Sequence, residues 1–175
     1  MKRLNNKGYM IVEIIVSATI AMTIAYFMMD LIVKLKEKYD YVQNDTILMT
    51  DKTVITNEIL GDLYKREIKC AKKDNNSIIY ELKDGATWLG LSYDSSNKLI
   101  KYQKSDNTII EETDEIIYQK KLNDNLQIKN TDIEIYDIEG ETDKKIASFI
   151  INAETLTSKK NYGVNIIIPV NGVCS

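Results

Sequence analysis

The sequence predicts an α+β protein in which a long N-terminal α-helix spans a membrane with its first half and packs with its second half on a C-terminal antiparallel β-sheet domain. Two observations predict this class. Residues 9–33 are 25 consecutive residues with only two charges, whereas the chain from residue 34 onward is polar with short apolar runs. Near residue 78 the apolar spacing changes from the period of a helix to the alternation of a strand. The length of 175 residues predicts one domain with an appended segment.

Residues 9–33 are the predicted membrane span. As a helix they would extend roughly 37 Å at 1.5 Å per residue, which exceeds a hydrocarbon core of about 30 Å. Lys2, Arg3 and Lys7 precede the span without an acidic residue, which predicts that the N-terminus stays cytoplasmic and that residues 74–175 lie outside. A secretory signal peptide fits less well, because its apolar region is shorter and a small-residue cleavage site follows it.

One acidic residue, Glu13, lies inside the apolar span on the side of the basic leader. An ionised carboxylate in hydrocarbon costs a few kcal/mol, so it needs a partner or a proton. Two interpretations follow. Either Glu13 lies near the lipid headgroups, or it meets a positive charge on another subunit. The second acid, Asp30, is near the outer end of the span and is expected at the interface with water.

Residues 7–13 read Lys-Gly-Tyr-Met-Ile-Val-Glu and are followed by the apolar helix. This pattern resembles the class III signal of type IV pilins and type II secretion pseudopilins. The resemblance implies that a prepilin peptidase cuts between Gly8 and Tyr9, removes the leader of residues 1–8 and methylates the new N-terminus on Tyr9. It also implies that Glu13 pairs with the terminal amine of a neighbouring subunit during filament assembly.

The same resemblance implies a structural subunit that waits in the cytoplasmic membrane and later enters a filament at the cell surface. Helix-kinking proline is missing, since Pro169 is the only proline, and this favours a minor pilin or a pseudopilin. The implied partners are other pilin subunits, the prepilin peptidase, the pilus assembly platform and the membrane. An adhesion or motility pilus, a type II secretion pseudopilus and a competence pseudopilus all remain open. A signal-anchored extracytoplasmic binding domain that never polymerises is the alternative.

The composition argues against catalysis and against nucleic-acid binding. The chain has no histidine, so nucleophile systems and zinc sites that need imidazole are excluded. Its formal net charge of −3 argues against a strong electrostatic nucleic-acid binder. The acidic runs at 111–115 and 139–143 lack EF-hand spacing and are expected in solvated loops. We therefore expect no enzyme activity, no cofactor and no metal.

Residues 34–73 are predicted to continue the helix as an amphipathic extension that ends near residue 72, where lysines and the turn formers Asp74 to Ser77 follow. Ile55 and Ile59 lie on an adjacent face. A 4-3 spacing predicts the stripe that packs on the sheet, formed by Leu35, Tyr39, Val42, Thr46, Met49, Thr53, Thr56, Leu60, Leu63, Glu67 and Cys70.

Residues 74–175 are predicted to form the β-sheet domain, because short apolar runs alternate with polar residues and turn formers. Asp84-Gly85 and residues 94–97 are predicted turns. The economical arrangement is one antiparallel sheet on the upper part of the helix. The predicted strands are 78–83, 86–93, 98–103, 108–111, 116–120, 132–137, 146–152 and 163–170.

The two cysteines are Cys70, at the end of the predicted helix, and Cys174, the penultimate residue. An extracytoplasmic domain lies in a compartment that permits disulfides. A bridge would close a loop of about 100 residues and tie the C-terminal tail to the end of the helix. Two unpaired thiols are the alternative, because spacing alone does not show whether the sulfurs approach each other.

Overall fold

A computed structural model describes residues 6–156 and 159–174, with the side chains of residues 6–9 and 142 outside that description. It contains one long helix followed by strands, so the predicted α+β class is confirmed. The elements are α1 Asn6–Leu63, β1 Ile68–Asp74, β2 Ser77–Leu82, β3 Trp88–Asp94, β4 Leu99–Ser105, β5 Glu115–Lys121, β6 Leu126–Ile138, β7 Glu141–Thr155 and β8 Asn161–Val170.

The chain divides into two compact units, Met1–Asp45 and Thr46–Ser175. In the first unit the described residues are all helical. The second unit contains the last turns of α1 and every strand. A five-stranded sheet has the order β1-β2-β3-β4-β5 and a three-stranded sheet has the order β6-β7-β8. All neighbouring strands are antiparallel and consecutive in the chain. The single predicted sheet is therefore two sheets.

The helix ends earlier than the sequence predicts. α1 stops at Leu63, where the amide N–H groups of Lys65 and Arg66 bond to carbonyls three residues back, at 3.1 and 3.2 Å. The segment predicted as the last helical turns is β1, and Cys70 lies in that strand. The prediction was wrong because Glu67 and Cys70 fit the helical spacing while Ile68 and Cys70 fit strand alternation equally well.

The predicted helix stop at residues 72–77 is instead the tight turn of the β1–β2 hairpin. Asn75 has a φ of 44°, in the left-handed region that asparagine tolerates. Ser77 Oγ donates to the carbonyl of Asp74 over 2.8 Å and closes the turn. The same turn-forming residues therefore connect two strands rather than a helix and a strand.

The predicted strand at 108–111 is also wrong, because these residues lie in the loop between β4 and β5. The loop crosses the outer face of the five-stranded sheet at Gly90. A Cβ atom added at Gly90 would lie 2.5 Å from Ile110 Cγ1, so only glycine leaves room for the loop. Gln103 Nε2 donates to the carbonyl of Glu111 over 3.0 Å and holds the loop there.

The core of the second unit lies between α1 and both sheets, and on the helix it combines Leu63 of the predicted stripe with Ile55 and Ile59 of the adjacent face. The buried helix residues are Leu48, Ile55, Ile59 and Leu63. Met49, which belongs to the predicted stripe, is 53% exposed. The predicted stripe is interrupted by threonines, whereas the buried face carries only large aliphatic side chains, which gain more on burial. Tyr80, Tyr102 and Phe149 of the sheets complete this core.

Candidate functional site

The first unit presents a bare apolar helix. Among the described residues one helix, Met10–Leu63, contains an 18-residue window apolar enough to cross a membrane, with a mean hydropathy of 2.0 and none of the window buried. Ile14 is 62% exposed and Leu31 is 52% exposed. So much uncovered aliphatic surface is unfavourable in water, so the helix is compatible with a membrane anchor.

The three aliphatic hydroxyl groups of the predicted span, residues 9–33, are bonded within the helix itself. Ser17 Oγ donates to the carbonyl of Glu13, and Thr23 Oγ1 donates to that of Thr19, each over 2.8 Å. Thr19 Oγ1 donates to the carbonyl of Val16 over 2.8 Å. Hydroxyls that bond to their own helix need no water and are therefore tolerated in hydrocarbon.

The two acidic residues of the predicted span, residues 9–33, have different surroundings. Asp30 Oδ2 lies 2.7 Å from Lys34 Nζ one turn later, so this acid has a cation on its own helix. Glu13 lies on the exposed surface of α1. Over residues 6–156 and 159–174, the structure shows no ion pair or hydrogen bond to its side chain. If this part of the helix lies in hydrocarbon, the carboxylate needs a partner or a proton, as inferred from the sequence.

The predicted processing site lies at the very start of α1. Gly8 and Tyr9 have helical backbone, and the side chain of Tyr9 is outside the described residues. Residues 1–5 of the predicted leader are outside them as well. Cleavage between Gly8 and Tyr9 and methylation of Tyr9 therefore stay predictions.

The two cysteines lie together at the edge of the five-stranded sheet. The structure joins Cys70 and Cys174 through their sulfurs, with Cα atoms 5.2 Å apart. Next to the bridge, Ala71 N–H donates to the carbonyl of Gly172 over 3.2 Å, and Cys174 N–H donates to that of Ala71 over 3.0 Å. Val173 thereby pairs in parallel with Ala71. The C-terminal tail thus covers part of the open edge of β1, which protects it from pairing with another chain.

Glu81 lies beside the bridge, and its carboxylate together with the two sulfurs forms a group within 4.8 Å. Three such ligand atoms could hold a metal if the sulfurs were thiolates. A bridged sulfur offers no thiolate. Lys69 Nζ lies 2.6 Å from Glu81 Oε1, so the carboxylate already has a cation.

Sequence reasoning missed a polar network that fixes the end of α1 on the five-stranded sheet. Asp62 Oδ2 accepts hydrogen bonds from Arg66 Nε at 2.7 Å and from Tyr102 Oη at 2.8 Å. Burial alone would raise the pKa of Asp62. The two hydrogen bonds lower the pKa by more than burial raises it, so the pKa of Asp62 lies below its ordinary value. Burial also raises the pKa of Tyr102, which stays a neutral donor. The spacing of Asp62 and Arg66 was a usable signal, since residues four apart meet on a helix.

A second polar contact joins α1 to the edge of the five-stranded sheet. Lys120 Nζ of β5 donates to Asp51 Oδ1 over 2.9 Å. The hydrogen bond to Asp51 raises the pKa of Lys120. Both networks position the helix within the second unit. In the part of the chain that the structure describes, Asp51 and Asp62 therefore have partners, unlike Glu13 of the first unit.

Comparisons with known proteins leave the family open. No protein-family model, no curated protein and no solved structure matches this chain. The likeness of residues 7–13 to a prepilin signal therefore stays a prediction, and it depends on that motif and on the bare apolar helix behind it.

Proposed function

We propose that this protein is a structural subunit, a minor pilin or pseudopilin, of a type IV pilus-like filament. It is anchored in the cytoplasmic membrane by residues 9–33 with the N-terminus inside and with the sheet domain outside. After removal of residues 1–8, the helix leaves the lipid and enters a filament. The assembled subunit is then exposed at the cell surface.

Glu13 is the observation that carries this proposal. It lies on the exposed surface of an apolar helix, while the other acid of that helix, Asp30, has Lys34 at 2.7 Å. A free amine at Tyr9 of a neighbouring subunit is the cation that cleavage after Gly8 would create. Pairing with it would stabilise Glu13 only when subunits assemble, so the acid favours the filament over the isolated membrane-bound chain.

The bare apolar helix supports the same proposal. In lipid its side chains contact acyl chains, and in a filament they would contact the helices of neighbouring subunits. Both surroundings are apolar, so transfer between them needs little net free energy. The direction of transfer is then decided by specific contacts such as the one proposed for Glu13.

Two measurements on protein from the native host test the proposal. The first is intact-mass and N-terminal analysis, for which we expect a chain that lacks residues 1–8 and carries one added methyl group on Tyr9. The second is the amount of the chain in filaments sheared from the cells. The non-polymerising alternative predicts a chain that still begins at Met1 and is missing from the sheared fraction.

Substitution of the two acids separates charge pairing from simple loss of an acid. Glu13→Ala should leave cleavage intact but reduce incorporation into filaments by about tenfold or more, because a buried charge pair loses one member. Asp30→Ala is the matched control in the same helix and should incorporate normally. Equal incorporation of both variants would contradict the charge-pairing mechanism. The family assignment would then depend on the mass analysis.

A further inference from the structure

The second half of the first unit carries an apolar stripe that the fold leaves uncovered. Leu35, Tyr39 and Val42 are 56%, 67% and 53% exposed. Successive helix residues are rotated by about 100°, so these three share one face, with Lys36 and Lys38 on its two sides. This lysine-flanked stripe follows the predicted membrane span of residues 9–33, so water rather than lipid would surround it in an isolated subunit.

The three-stranded sheet carries a second apolar surface, which is partly exposed. Its inward side faces the core, where Phe149 of β7 and Ile166 of β8 are fully buried. Register pairs Ser148 with both Glu134 and Ile167, and side chains directly opposite one another point to the same side of a sheet. The side opposite Phe149 is therefore a separate surface of the domain.

Three isoleucines form the centre of this outward side. Ile167 is 45% exposed, and Ile146 and Ile150 are partly exposed. Asp132 and Glu134 of β6 lie beside them, because Asp132 pairs with Ile150 and Glu134 is the next outward residue of the strand. We call this surface the isoleucine face.

The β6 edge of the isoleucine face carries negative charge, from Asp132 and Glu134. The lysines of the neighbouring hairpin are held by acids of their own, since Lys144 pairs with Glu141 and Lys145 pairs with Asp137. The nearby carboxylate of Glu134 raises the pKa of Tyr136, so this tyrosine stays neutral and does not cancel the acidic charge. An apolar centre with an acidic edge fits an apolar stripe with lysines on its sides.

We propose that the lysine-flanked stripe of one copy packs on the isoleucine face of a second copy, with Lys38 beside Asp132 and Glu134. The contact joins two different surfaces of the same chain. Such a head-to-tail contact repeats without closing unless its rotation happens to close a ring, and it therefore builds a helical array. The inference rests on the proposed function, because a filament subunit must bind its neighbours through two different surfaces.

Cross-linking between copies of the full chain in lipid vesicles tests this contact without the native filament. One population carries Tyr39→Cys and the other carries Ile167→Cys, and a short bismaleimide joins free thiols. The native bridge has no thiol and does not react. A mixture of Tyr39→Cys with Ile109→Cys is the control, because Ile109 is 64% exposed but lies in the β4–β5 loop.

We expect the Tyr39–Ile167 mixture to give about tenfold more cross-linked dimer than the control, because a docked pair raises the effective concentration of the two thiols. Equal yields from the two mixtures would overturn the contact. High yield from Tyr39→Cys alone would also overturn it, since the stripes of two helices would then pack on each other. Either negative result would overturn this contact but not the proposed function, because filament entry in the native host is measured separately.

Charge reversal gives a second, independent test. Added to the Tyr39→Cys chain, Lys38→Glu should lower the yield of the Tyr39–Ile167 cross-linked dimer about tenfold, because it places like charges together, and Glu134→Lys added to the Ile167→Cys chain should do the same. The mixture that contains both changes restores opposite charges across the contact and should recover most of the yield. Lys73→Glu makes the same change of charge near the end of β1 and should have no effect. Equal yields from Lys38→Glu and Lys73→Glu would contradict the proposal.

Discussion

One helix passes through two environments in this molecule. In the first unit, Ile14 of α1 is 62% exposed, whereas Ile55 and Ile59 in the second unit are fully buried by the two sheets. The acids differ in the same way, because Asp62 has two partners within the second unit and Glu13 has none among the described residues. The second unit buries its own part of the helix, whereas the apolar surface of the first unit and Glu13 are exposed. We propose that lipid or another subunit covers them.

The disulfide offers the largest test of how self-sufficient the second unit is. Changing both Cys70 and Cys174 to serine opens a loop with a sequence separation of 104. For a loop of that length the lost constraint on the unfolded chain is worth about 4–5 kcal/mol. We expect this loss in denaturant unfolding of the full chain in detergent, followed by the fluorescence of Trp88. Unchanged helix content in the first unit would show that the effect is confined to the sheet domain.

Matched isoleucine substitutions test the difference in burial directly. Ile59→Ala should lower the free energy of unfolding of the second unit by about 2–5 kcal/mol, because it leaves a cavity among fully buried side chains. Ile14→Ala makes the same chemical change on the bare part of α1 and should alter that free energy by less than about 0.5 kcal/mol. A similar loss from both variants would mean that the two parts of the helix unfold as one.

The hydrogen bond from Tyr102 to Asp62 makes a smaller, pH-dependent contribution. Tyr102→Phe should cost about 1.5–3 kcal/mol near neutral pH, because the bond is made to an ionised carboxylate. The folded-state pKa of Asp62 lies below its ordinary value of 3.8, so the ionised form stabilises the fold above that pH. This contribution is lost as the pH falls through the lowered pKa.

The measurement is the difference in unfolding free energy between the wild type and Tyr102→Phe across the acid range. The difference should shrink toward zero below the folded-state pKa of Asp62. Asp62→Asn keeps the shape of the side chain but cannot ionise, so it should remove most of this pH dependence. A gap that stays constant through the acid range would assign the effect of Tyr102 to packing alone.

Local patterns were sufficient for most strands but not for their assembly. Alternation of apolar residues predicted the positions of β2 to β8, because the side chains of a strand face the core in turn, but β6 and β7 extend well beyond the predicted 132–137 and 146–152. It did not predict two sheets, since the pattern of one strand does not name the strand it pairs with. β1 was missed because Cys70 suits both a helical stripe and a strand, and only packing decides between them.

The sequence also predicts some residues of the candidate site and not others. Glu13 is visible in the sequence, because a charge in an apolar run stands out without any structure. The network around Asp62 is not visible, since Tyr102 is 40 positions away and is brought close only by the sheet. The choice of buried helix face also needed the fold, because α1 carries two adjacent apolar stripes and the sheets bury the side on which Ile55, Ile59 and Leu63 lie.

Two glycines give the smallest effects, with opposite expected signs. Gly61 lies in the last turns of α1, and an added Cβ there would meet nothing within 4 Å. Gly61→Ala should therefore stabilise the second unit by about 0.5–1 kcal/mol through helix propensity. Gly90→Ala should destabilise it by about 1–2 kcal/mol, because the new methyl group would press on Ile110 of the overlying loop.

A double variant decides whether the Gly90 effect comes from that contact. Ile110→Ala removes the atom that lies 2.5 Å from the added Cβ, so Gly90→Ala should cost much less in its presence. Thermal unfolding of the four chains gives the coupling energy. Additive effects would mean that the loop does not rest on the sheet at Gly90. Strong coupling would show that the sheet domain covers its own outer surface there, in contrast to the uncovered stripe at Leu35, Tyr39 and Val42.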